Sequence, residues 1–111
     1  MPRVKTYSAA SGYVYQYRFE SHEADAAGDR YRFETTHDRR AAFAVTVFLP
    51  AQAIEAWEVS QDRGLTPTER YAVAKIALFN AFDEAGQPDG FAQTVQVDAE
   101  QVRAIAQILD L

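Results

Sequence analysis

The chain contains no cysteine, and only two of its eleven basic residues are lysines, Lys5 and Lys75. The first absence excludes disulfides, thiolate nucleophiles and Cys-ligated zinc. Glycine is sparse too. Its five copies, at 12, 28, 64, 86 and 90, stand singly at turn and cap positions, so no glycine-rich loop is present to cradle a phosphate. No serine occupies a nucleophile elbow. Long hydrophobic runs are also missing. The longest uncharged, mostly apolar stretch, Ala41–Ile54, has 14 residues and a proline, whereas a membrane-spanning helix needs about 20. The opening "MPRVKTYSAASG" has no apolar h-region, which predicts no secretory signal and a cytoplasmic protein.

What is present suits one domain of 111 residues, with 48% hydrophobic and 24% charged residues. The net charge of −5 is uneven. Residues 1–50 hold seven Lys/Arg against six Asp/Glu, and residues 51–111 hold four against ten. An acidic chain is a poor default for a phosphate backbone, but the first half keeps a local basic surface.

Residues 1–12 are small and polar and read as a flexible arm before a single domain over 13–111. Strict alternation with aromatics marks strands at 13–20 ("YVYQYRFE") and 30–36 ("RYRFETT"), and a third apolar strand falls at 41–49. Short links between them predict an antiparallel three-stranded meander. A fourth short strand is predicted at 91–97.

Three helices complete the order βββααβα, an α+β fold with helices on one face of the sheet. The first opens at Pro50 and is expected to close at Gly64. The second has a capping box, Thr66 and Glu69, with Pro67 at its first turn and Gly86 as its stop. The third opens with the box Asp98–Gln101, and Val102, Ile105, Ile108 and Leu109 form its apolar stripe.

The tetrapeptide YRFE occurs at 17–20 and again at 31–34. Pairing residues whose numbers sum to 50 would oppose Arg18 and Arg32. A sum of 52 opposes Arg18 with Glu34 and Glu20 with Arg32, and brings Phe19 to Phe33. Opposite charges across strands stabilise pairing by roughly 0.2–1 kcal/mol per pair, so 52 is the expected register. The repeat is then a device for pairing one strand with its own copy in reverse.

Three functional readings compete. In the first, the protein is a non-catalytic homodimer, or binds another protein, through the open sheet face: Arg18, Arg32, Glu34 and Phe48, with Arg39 and Arg40 at its edge. In the second, Arg30, Arg32, Arg39 and Arg40 with exposed tyrosines bind nucleic acid. In the third, a pocket between helices and sheet holds a small molecule or supports an enzyme around Lys75, Tyr71 and Trp57. Lys75 motivates this reading because it falls on the apolar side of its helix, about 40° from the direction of Tyr71, Leu78 and Phe82. A desolvated lysine there could hold an anion, and a carboxylate partner is expected if it is buried. His22 and His37 lie in loop or turn segments, and their spacing matches no metal motif. No metal or cofactor is expected.

Overall fold

The computed structural model describes residues 3–86, 88 and 93–111. Five strands form one sheet in the order β1 (Lys5–Ser8), β2 (Val14–Asp25), β3 (Gly28–Thr36), β4 (Phe43–Pro50) and β5 (Thr94–Gln96). The first four are antiparallel neighbours, and β5 runs parallel to β4. The sheet is therefore mixed and five-stranded, which corrects the expected three-stranded meander. Of the expected strand 91–97, Phe91 and Ala92 lie outside the described residues.

The amino-terminal segment also differs from expectation. Lys5–Ser8 pair with Val14–Tyr17, with Lys5 opposite Tyr17 and Tyr7 opposite Tyr15. Opposed residues share a sheet face, so Lys5 and Tyr7 lie on the same side as the buried Tyr15 and Tyr17. An Ala9–Tyr13 backbone bond closes the connection, and Asp83 ties it to a helix by accepting from Tyr7 Oη and Ala10 N, each at 2.8 Å.

The YRFE copies pair in the expected register up to a point. Arg18 faces Glu34 and Phe19 faces Phe33. Glu20 is then the extra residue of a β-bulge, and Ser21, not Glu20, stands opposite Arg32. The ion pair survives the slip, with Arg32 Nε 3.0 Å from Glu20 Oε2. Past the bulge the alternation inverts, and His22 pairs with Tyr31 on the aromatic face. The segment "SHEADAAGD" is accordingly a continued hairpin with Ala26 and Ala27 at its tip, rather than a loop. Asp25 supports that tip by accepting from Ala27 N at 2.9 Å.

Helices α1 (Ala51–Gln61), α2 (Pro67–Glu84) and α3 (Ala99–Ile108) follow. Pro50 is the cap residue of α1, one position before the helix proper. Its left-handed stop is Asp62, with φ 53°, instead of Gly64. Gly64 has another role. A Cβ there would lie 3.2 Å from a Glu58 carboxylate oxygen, and that carboxylate accepts from Leu65 N at 2.6 Å. Both expected capping boxes form. In the first, Glu69 also binds both Arg63 guanidinium nitrogens, at 3.0 and 3.1 Å. Together with the Thr66 N–H, Arg63 holds the Glu69 carboxyl down at about 2.

The core lies between one sheet face and the helices. Tyr15, Phe33, Val45, Val47 and Leu49 meet Ile54, Trp57, Val73, Leu78 and Phe82, all buried. Helix α3 docks against α1 and α2 through Val102, Ile105 and Ala106, while Ile108 of its expected stripe is exposed.

Gly28 begins β3 with φ 144°. A Cβ there would collide with the Leu49 carbonyl oxygen and lie 2.9 Å from the Ala51 nitrogen. Both the strained angle and the close backbone demand glycine. Gly28→Ala is expected to destabilise the protein by on the order of 3 kcal/mol, read as a lower urea midpoint at unchanged slope.

Candidate functional site

Aromatic rings dominate the meeting of the sheet with α2. Towards the carboxyl end of the helix the rings stack, Tyr15 on Phe82 at 4.2 Å and Tyr7 on Phe79 at 4.4 Å. Towards its amino end the contact becomes edge-on, with Phe19 5.2 Å from Tyr71. Here the two layers part, and a cleft of about 600 Å³ opens. That is within the ~300–1,000 Å³ typical of small-molecule sites.

Tyr17, Phe19, Tyr31 and Tyr71 wall the cleft, Pro67 and Thr68 of α2 form one lip, and Arg3, Lys5 and His22 stand at its margin. Burial raises the phenol pKa of Tyr17 and Tyr71. Burial and the nearby Asp29 charge push Tyr31 up to about 12. All three walls are therefore neutral phenols near neutral pH.

His22 reaches the cleft because of the bulge. Its ring stacks on Tyr31, with centroids 4.4 Å apart and planes 6° from parallel. Its Nε2 lies 2.8 Å from Asp29 Oδ1. Asp29 is buried at 6% exposure, and its other oxygen accepts from Arg70 Nη1 at 3.2 Å. Arg70 also lies 3.6 Å from Glu58. This chain of polar contacts joins the β2–β3 hairpin to α2 and α1 and sets the orientation of the imidazole.

Lys75 lies one turn beyond Tyr71 on α2, next to the cleft walls Tyr17 and Tyr71 and not itself part of the lining. Its ammonium is 5.6 Å from the Tyr17 ring centre, 5.9 Å from Tyr71 and 5.8 Å from Phe79. Among the described residues no carboxylate forms an ion pair with it. Its charged neighbour is Lys5, delivered by β1. Burial, then the Lys5 ammonium, lowers the Lys75 pKa below the ordinary lysine value. Attraction to three ring faces partly offsets the charge.

Of the three residues expected to form a pocket, Tyr71 and Lys75 come together. Trp57 does not join them. It is buried in the core at 5% exposure, with the Arg63 guanidinium 5.0 Å over its ring. The residues that sequence reasoning missed are Lys5, His22 and Asp29. In the sequence Lys5 reads as part of a flexible arm and His22 as a loop residue, so neither carries a local signal for the cleft.

The open sheet face has a different character. Arg18 pairs with Glu34 at 2.9 Å and Arg32 with Glu20. Arg30 covers the Phe48 ring at 4.6 Å and binds Asp25 at 3.1 Å. Arg39 and Arg40 lie exposed in the β3–β4 turn with His37. That turn is organised by Asp38, which accepts from Arg40 N and Ala41 N. Among the described residues no group of three His, Cys, Asp or Glu could hold a metal ion, and no described helix is long and apolar enough to cross a membrane.

No protein-family model, curated protein or solved structure matches the chain.

The lowered Lys75 pKa has a consequence for stability. In the folded state the charged form is disfavoured, so its cost is full below the folded-state pKa. The cost disappears above the ordinary value of 10.5. Lys75→Met should therefore raise Tm by a few degrees at neutral pH, and the gain should narrow as pH approaches 10.5. Thermal melts followed by circular dichroism check both the sign and the trend.

Proposed function

We propose that the protein binds a small aromatic or apolar molecule in the cleft between β2–β3 and the amino-terminal half of α2. The observation that carries this reading is the cleft itself, of about 600 Å³ and walled by Tyr17, Phe19, Tyr31 and Tyr71. Flat rings of this kind supply large contact area at little entropic cost. The His22–Asp29–Arg70 chain supports the reading because it fixes one wall before any ligand arrives, and preorganisation of that kind raises affinity. A neutral fluorescent probe, N-phenyl-1-naphthylamine, should bind and brighten. Thr68→Trp fills the lip and should abolish the signal without lowering Tm. Absence of binding by the wild-type protein, or full binding by the Thr68→Trp variant, contradicts the reading.

A second reading is a homodimer through the open sheet face. It is supported by the short side chains of Ala44 and Thr46 on β4, which leave a flat strip beside the Arg18–Glu34 and Arg32–Glu20 pairs. Sedimentation equilibrium at high micromolar concentration is expected to give about twice 12.4 kDa on this reading. A mass of 12.4 kDa removes it.

A further inference from the structure

On the cleft reading just given, we infer that the ligand is an aromatic monocarboxylate, its ring against the walls formed by Phe19 and Tyr71 and its carboxylate held by the ammonium groups of Lys5 and Lys75. The argument begins with placement. The chain has two lysines, seventy residues apart, and the fold sets Lys5 in the cleft lining and Lys75 beside it, against the ring of the cleft wall Tyr17. Pairing of β1 with β2 puts Lys5 opposite Tyr17 on the helix side of the sheet. Helix α2 brings Lys75 to the same ring from above, at 5.6 Å.

Two ammonium groups side by side repel each other, and partial burial makes the charge of Lys75 harder to hold. Stability alone would favour an apolar residue at position 75, because α2 presents Tyr71, Leu78, Phe79 and Phe82 to the same side of the core. Seven arginine–carboxylate ion pairs among the described residues show that this chain routinely matches its arginines with acids. Among the described residues the lysine pair has no such acid. An anion placed between the two ammoniums would relieve their repulsion and complete the charge balance.

The walls specify what the anion is attached to. Tyr17, Phe19 and Tyr71 offer ring faces and edges, and Lys75 already sits over two of these rings. A planar body ending in a carboxylate satisfies both features at once. Arg3 at the margin adds a third positive charge on the solvent side.

Three isosteric probes test the inference by NMR or calorimetric titration: 2-naphthoate, 2-naphthylmethanol and 2-naphthylmethylamine. The expected order is carboxylate first, by about tenfold or more over the alcohol, with the amine weakest. In Lys75→Met and in Lys5→Met the preference should fall towards unity while the alcohol still binds, which also shows that the variants remain folded. Equal binding of carboxylate and alcohol by the wild type, or a preference for the amine, overturns the anion assignment and leaves the cleft reading standing. Failure of all three probes to bind overturns both.

Discussion

The packing of one aromatic row on the sheet against another on α2 is the constraint on which the rest of the structure depends. Tyr7, Tyr15, Tyr17, Phe19 and Phe33 meet Tyr71, Phe79 and Phe82. Ring pairs of this kind contribute roughly 0.5–1.5 kcal/mol each beyond the area they bury. They also fix the distance between the two layers. Where rings stack, near Phe82, the layers close. Where the contact turns edge-on, near Tyr71, the layers separate and the cleft appears. The cleft is thus a product of the same contacts that hold the domain together.

The bulge at Glu20 extends that constraint to the charged residues. A regular strand would have sent His22 to the open face. One extra residue turns it onto the helix side instead, where it stacks on Tyr31 and meets Asp29. Asp29 is nearly inaccessible, and a buried carboxylate is tolerable only with partners such as His22 and Arg70. Arg70 in turn reaches Glu58, whose carboxylate bridges the α1–α2 connection past Gly64. Hairpin, α1 and α2 are therefore held in mutual register around the cleft mouth by polar contacts, and around its floor by rings.

Much of this was legible in the sequence wherever the signals were local and periodic. The Thr66–Glu69 and Asp98–Gln101 capping boxes formed as read, because three-residue spacing specifies their geometry. The Arg18–Glu34 and Phe19–Phe33 pairings followed from charge complementarity and period two. Lys75 stood out because a cation on an apolar helix side needs an explanation. What escaped lacked such signals. A β-bulge breaks the alternation on which strand reading depends, so the hairpin beyond Glu20 read as a loop and its histidine as a turn residue. Strand β1 has four residues, too few for a periodic pattern, and exists through its pairing with β2. Trp57 reads in the sequence as a core anchor on the buried side of α1, with a pocket role as the alternative, and it fills the core between α1 and the sheet. Only tertiary structure could bring Lys5 to Lys75.

The most direct test of the account is the position of a bound ring within the cleft. Intermolecular NOEs between the ring protons of 2-naphthoate and the protein report it without reliance on affinity. The account predicts NOEs to the ring protons of Phe19 and Tyr71 and to the side-chain methylenes of Lys75, with none to Trp57. NOEs confined to the exposed Val59 and Ile108, or to residues of the open sheet face, would contradict it.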